Sequence, residues 1–196
     1  MGMSEIIIYP TDTVWGIGAK ASDELLDQKI GELKGTSLDK PLSLMFADDE
    51  MLSRYFHLDF LPQNIDLNHL FSLEMTLGIP LEYMKLKVPS HIYKKSTFVG
   101  VRIAQSEFLC SYLNELNEPI TTTSLNNTGE APITNKNDAR SFYENKKKIY
   151  SNLKFVDSIE DELSGVSSTF IFLEKGKYSF LRMGRHAEKI RQILQI

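Results

Sequence analysis

The chain has one cysteine in 196 residues, Cys110, so it cannot build an internal disulfide framework. That scarcity fits a reducing compartment, and the expectation is a cytoplasmic protein. Long apolar runs are missing too: nothing approaches the roughly 20 residues a membrane span needs. An apolar strand begins almost at once, at Ile6, which leaves no room for a signal peptide. Phosphate-loop chemistry is excluded, because Gly31 and Gly35 precede no lysine-serine or lysine-threonine pair. His57, His69, His91 and His186 lack metal-ligand spacing, and no metal ligand is assigned. Positive charge is not in excess either. The net charge of −4 argues against broad electrostatic binding of nucleic acid.

What is present is polar chemistry delivered at strand ends. Ile6-Ile7-Ile8-Tyr9 reads as a strand that Pro10 terminates by removing a backbone donor. Thr11, Asp12 and Thr13 follow directly, and Gly16 and Gly18 allow a tight turn or a close approach to a ligand. A second hydroxyl-rich strand, Ile120-Thr121-Thr122-Thr123-Ser124, runs into Leu125-Asn126-Asn127-Thr128-Gly129. Two such ends in one small fold predict a shared polar pocket.

The remaining pattern alternates strands and helices. A helix is expected over 22–34, with Ser22 as cap and Leu25, Leu26, Ile30 and Leu33 inward. Short helices are expected between 48 and 72. Helices are also expected at 106–116, with Phe108, Leu109, Tyr112 and Leu113 inward, at 138–148 and at 187–194. Strands are expected at 42–46, 97–104, 120–123, 154–156, 169–173 and 178–181. The fold class is therefore α/β with a mixed, twisted open sheet flanked by helices, in one domain over 1–196. Arg102 stands out, since a guanidinium inside an apolar strand is rarely left without a partner. Lys34, at a helix C-terminus, is a cation the helix dipole favours.

Five motifs in order resemble the YrdC-like threonylcarbamoyl-AMP synthase family. Residues 9–18, YPTDTVWGIG, are similar to its YPTDTVYGLG signature, and TTSLNNTG at 122–129 to its STSANLSG. Lys34 with Lys40-Pro41-Leu42, then Val101-Arg102, then Ser168-Thr169 with Leu181-Arg182 resemble its later motifs. The resemblance implies an enzyme that joins L-threonine, bicarbonate and ATP into threonylcarbamoyl-adenylate for tRNA threonylcarbamoyladenosine synthesis. It implies magnesium carried with ATP, and tRNA and other proteins of that pathway as partners. It places Thr13, Arg102, Thr122 and Ser168 around threonine. Lys34, Ser124, Asn126, Thr128 and Arg182 fall around the nucleotide, and Lys34, Arg102, Ser124 and Asn126 in the catalytic set.

The departures from that pattern are specific. Thr36 stands where the family has an arginine, Phe172 where it has an aspartate and Met183 where it has a proline. Those replacements keep open an alternative reading, a non-catalytic RNA- or nucleotide-binding module of the same fold.

Overall fold

The computed structural model describes residues 5–35, 40–62, 65–157, 163–174 and 176–196, and Thr36 lies outside them. Strands β1 (Ile6–Pro10) and β2 (Trp15–Gly18) pair as a hairpin, with Pro10 opposite Trp15. The turn between them closes on Thr11, whose Oγ1 accepts from the backbone N–H of Thr13 and Val14 at 3.1 and 3.2 Å. Helix α1 (Glu24–Lys34) leads to β3 (Ser43–Phe46) and α2 (Asp49–Tyr55). Next come α3 (Leu67–Phe71), β4 (Met75–Pro80), α4 (Ser90–Tyr93), β5 (Phe98–Ile103) and α5 (Glu107–Leu116). Then follow β6 (Ile120–Ser124), α6 (Lys136–Lys146), β7 (Leu153–Phe155), β8 (Thr169–Glu174), β9 (Lys177–Arg182) and α7 (Ala187–Leu194). Among the described residues the strands form one sheet in the order β7-β1-β2-β6-β3-β5-β4-β8-β9, with parallel and antiparallel neighbours mixed. The expected α/β class and mixed sheet are what the structure has. No helix among the described residues is long and apolar enough to cross a membrane.

Strand β1 is buried on both faces, and its period of two divides it between two cores. Ile6 and Ile8 join Trp15, Ile17, Leu26, Ile30 and Leu33. Ile7 and Tyr9 join the larger cluster under β3, β4 and β5, with Leu44, Leu77 and Val101.

Several details depart from the sequence reading. Gly16 and Gly18 do not make a turn; they lie in β2, across from Tyr9 and Ile7. Glycine is needed at 18 because a Cβ there would collide with the Thr121 carbonyl oxygen. Gly18→Ala is expected to force strands β2 and β6 apart and to cost at least about 2 kcal/mol, read as a lower urea midpoint at unchanged slope. Asp23, not Ser22, caps α1, its Oδ1 accepting from Leu26 N at 3.2 Å. Leu25, expected inward, is 69% exposed, because α1 packs through Leu26, Ile30 and Leu33. Phe108 likewise faces out, 39% exposed, and stacks on Tyr112 with ring centroids 6.1 Å apart.

Candidate functional site

Cross-strand register assembles the polar pocket on one face of the sheet. Thr122, Ser43, Gly100, Gly78 and Phe172 occupy one row across β6, β3, β5, β4 and β8. Arg102 lies two residues beyond Gly100 and therefore on the same face. Thr76, Phe170 and Arg182 continue its row. The β1–β2 turn adds Thr11 and Thr13, and Ser167 and Ser168 arrive from the segment before β8. Of these, Thr11, Thr13, Ser43, Thr76, Arg102, Thr122, Ser167, Ser168, Phe170 and Arg182 line a cavity of about 160 Å³.

The hydrogen bonds of this cavity show which groups are already committed. Arg102 donates from Nη1 to Thr13 Oγ1 at 3.1 Å and from Nη2 to Asp12 Oδ1 at 2.5 Å. The guanidinium is thus held in place by a hydroxyl and a carboxylate, and it is only about 10% exposed. Arg182 donates through Nε and Nη2 to the carbonyl and hydroxyl of Ser168, at 2.7 and 2.9 Å. Ser168 Oγ in turn pairs with Thr76 Oγ1 at 2.7 Å. Burial, and then the nearby charge of Arg102, hold Arg182 below the ordinary arginine pKa. Two guanidiniums therefore face one small cavity, that of Arg102 already paired with a carboxylate. Behind Thr122, the buried Tyr9 donates its phenol to Thr122 Oγ1 at 2.6 Å, and burial pushes that phenol well above its usual pKa.

A second cavity, of about 410 Å³, adjoins the first and shares Pro41, Thr123 and Ser124 with it. Its cation is Lys34 at the end of α1. Lys34 Nζ donates to the Ser124 carbonyl, to Asn126 Oδ1 at 3.2 Å and to Thr123 Oγ1 at 3.4 Å. Burial first, and then repulsion from Lys40, pull its ammonium pKa down to about 8. Ser124 Oγ donates to Asn126 Oδ1 at 2.6 Å. The Asn126 amide N–H groups reach the carbonyls of Asn127 and Glu130 at 2.8 and 3.0 Å. Thr128 closes the loop onto the helix, since its N–H and hydroxyl both donate to the Lys34 carbonyl, at 2.8 and 3.1 Å. The loop after β6 therefore does two jobs: it caps α1 and it clamps the lysine.

The sequence-predicted residues thus fall into two adjoining groups. Thr13, Arg102, Thr122 and Ser168 line the smaller cavity, and Lys34, Asn126 and Thr128 the larger, with Ser124 common to both. Arg182 lies in the smaller cavity beside Ser168 and not beside Lys34. Sequence reading missed Tyr9, Asp12 and Thr76 as partners of these groups, and Asp27 and His91 as walls of the larger cavity. Tyr9 and Asp12 were findable, since both lie inside the first motif. Asp27 and His91 were not, because they are 64 positions apart and meet only in the fold.

Phe172 is explained by its neighbours. Its ring stacks on Phe98, with centroids 5.0 Å apart, and its Cβ sits where a side chain on Gly78 would go. Phe98 also meets Phe170 edge-on at 5.8 Å. An apolar shelf thus continues the sheet face beyond the guanidiniums. Cys110 is half-buried and donates weakly to the Ala47 and Ala104 carbonyls, and burial raises its thiol pKa.

The chain is thus an α/β domain whose mixed sheet carries two joined cavities, one bearing two guanidiniums and one a clamped lysine. The chain belongs to the Sua5–YciO–YrdC family, whose model, described as telomere recombination, matches residues 2–184. A Methanocaldococcus jannaschii relative, provisionally named a threonylcarbamoyl-AMP synthase, is 29% identical over 184 residues, covering 92% of this chain and 80% of that one. Among solved structures, Pyrococcus abyssi Sua5 carrying the substitutions H234A and Y235A superposes with a TM-score of 0.78 at 29% identity. P. abyssi Sua5 complexed with L-threonine superposes with a TM-score of 0.74 at 27% identity, over 97% of this chain and 54% of that one. The chain thus spans about half the length of the P. abyssi protein, though four-fifths of the M. jannaschii one.

Proposed function

We propose that the chain is a threonylcarbamoyl-AMP synthase, which makes threonylcarbamoyl-adenylate from L-threonine, bicarbonate and ATP. The observation that carries this reading is the junction of the two cavities at Thr123 and Ser124. An amino acid in the smaller one and a triphosphate in the larger one would meet there. The relatives' names and the threonine complex of P. abyssi Sua5 support the same assignment.

The chemistry needs positioning more than a protein nucleophile. The threonine amine adds to bicarbonate, losing water, and gives a carbamate. A carbamate oxygen then attacks the α-phosphorus of ATP, and pyrophosphate leaves with the electrons of the broken P–O bond. Arg102 and Arg182 would hold the threonine carboxylate, with Thr13, Thr122 and Ser168 as hydroxyl partners. Lys34, held by Ser124 and Asn126, would neutralise charge that develops on the phosphates. Because Asn126 and Thr128 are engaged in holding Lys34 and its helix, their part is to place the lysine. Magnesium enters as part of the nucleotide substrate. The product would serve tRNA threonylcarbamoylation, so a tRNA and other proteins of that pathway are the partners this reading calls for.

The test is pyrophosphate release by purified protein given ATP, magnesium and bicarbonate. Release that depends on L-threonine, with the adenylate identified by mass spectrometry, is the expected result. Folded protein that binds a nucleotide or RNA and releases none would establish a binding module instead.

A further inference from the structure

Ser167 and Ser168 reach the smaller cavity on a segment, 163–168, that is neither helix nor strand. Such a segment presents a side chain accurately only where other groups tie it down. On one side Ser164 N and Gly165 N donate to the carbonyls of Asp12 and Thr13, at 3.0 and 2.9 Å, which docks it on the β1–β2 turn. On the other side both of its ends rest on one residue, Glu74. Ser164 Oγ donates to Glu74 Oε2 at 3.0 Å, and Thr169 N donates to the Glu74 carbonyl at 2.9 Å.

Glu74 is buried, immediately precedes β4 and has a φ of +54°. That is the left-handed region, which a residue with a Cβ occupies only when its surroundings hold it there. In this conformation its carbonyl and its carboxylate both reach the 164–169 stretch. The second carboxylate oxygen, Oε1, faces Arg185 Nη1 at 3.9 Å and His186 Nε2 at 3.8 Å. Gly184 brings those two side chains there. A Cβ at 184 would lie 2.6 Å from both the Ser167 carbonyl oxygen and Thr169 N, so only glycine lets the chain after β9 pass this close to the segment. Arg185 is well exposed and its pairing is long, so the Ser164 hydrogen bond is the specific contact.

We propose that Glu74 is a positioning residue for amino-acid recognition: it holds the 164–168 segment so that Ser168 and Arg182 stand where the smaller cavity needs them. Ser168 is the link. Its carbonyl and hydroxyl take the Nε and Nη2 of Arg182, and its hydroxyl pairs with Thr76, two residues along the chain from Glu74. A shift of the segment therefore moves a hydroxyl and a guanidinium together, and small misplacements of such groups cost binding and rate. Glu74 itself lines neither cavity, so it acts through Ser168.

The proposal rests on the assignment of the smaller cavity to L-threonine. The experiment measures L-threonine and ATP affinity by calorimetry, and kcat and KM for threonine-dependent pyrophosphate release. Glycine suits a φ of +54° and keeps the carbonyl for Thr169 N, so Glu74→Gly removes the carboxylate without straining the backbone. Ser164→Ala breaks the same contact from the other side. Each variant is expected to raise the L-threonine Kd and KM about tenfold, the scale of one lost hydrogen bond. ATP affinity, and kcat at saturating threonine, should stay within about twofold of wild type on the same scale. Glu74→Gln retains an oxygen that can accept from Ser164, and its threonine affinity should return to within about threefold of wild type. A residue that served stability alone would shift the melting temperature and leave the threonine Kd where it was. Unchanged threonine affinity in folded Glu74→Gly or Ser164→Ala, or an equal loss of ATP affinity, would overturn the positioning role and leave the proposed function standing. Wild type that binds ATP but no L-threonine would overturn the assignment of the cavity and this proposal together.

Discussion

Arg102→Met is expected to remove L-threonine binding, with an affinity loss of about 2–5 kcal/mol, the scale of truncating one member of a buried charged pair. Arg102 ties the β1–β2 turn to β5, through Thr13 and Asp12. Its loss removes the fork offered to a ligand carboxylate and also leaves the Asp12 carboxylate without its cation. The single variant should therefore lose about 1–3 kcal/mol of stability as well. Adding Asp12→Asn separates the two effects. The double variant should regain most of the stability and none of the binding. Calorimetry with L-threonine and urea unfolding read the two quantities independently. Threonine affinity within threefold of wild type in a folded variant would remove Arg102 from the site.

Lys34→Met should separate stability from activity in the opposite direction. The folded state lowers the Lys34 pKa from 10.5 to about 8. That difference corresponds to about 3 kcal/mol spent on keeping a buried ammonium charged. Below pH 8 both folded and unfolded chains carry the proton, so the cost is present in full. Between about 8 and 10.5 the unfolded chain binds more protons, so this residue makes stability rise with pH there. The methionine variant removes the cost but also strips a donor from Ser124 O and Asn126 Oδ1. A net gain of about 1–2 kcal/mol at pH 7 is expected, and that gain should shrink towards pH 10. Nucleotide-dependent pyrophosphate release should fall by at least about a hundredfold, because the phosphates lose their buried cation. In the wild type, ATP affinity should weaken as pH climbs through 8, where Lys34 begins to discharge. A variant no more stable at pH 7 than at pH 10 relative to wild type would show that the lysine is not strained.

Much of the site was legible because its residues travel in short runs. Thr13 lies in the first motif beside its partner Thr11, and Ser124 and Asn126 lie two positions apart. Such local patterns survive folding, since strand ends and tight turns place neighbours in sequence as neighbours in space. Arg102 was legible for a different reason: a charge inside an apolar strand demands a partner, although the sequence does not say which. Strand β4 escaped notice because its alternation, Met75, Leu77 and Ile79 against Thr76, Gly78 and Pro80, is short and carries a glycine and a proline, which read as loop. The cap of α1 was misplaced by one residue because Ser22 and Asp23 are equally good caps on paper, and only the chain path chose Asp23.

By itself the sequence determined the α/β class, the order of most elements, the hydroxyl-rich strand ends and the family pattern, all of which depend on local spacing and side-chain chemistry. The tertiary structure decided how those pieces share space. Sheet register put Arg102, Thr76, Phe170 and Arg182 into one row, and the packing of α1 against β6 turned Lys34 towards Ser124 and Asn126. The same packing joined Asp27 to Thr121 and His91, from three different elements. Pairings across 64 to 94 residues are set by which faces bury together, and a linear pattern does not carry that information.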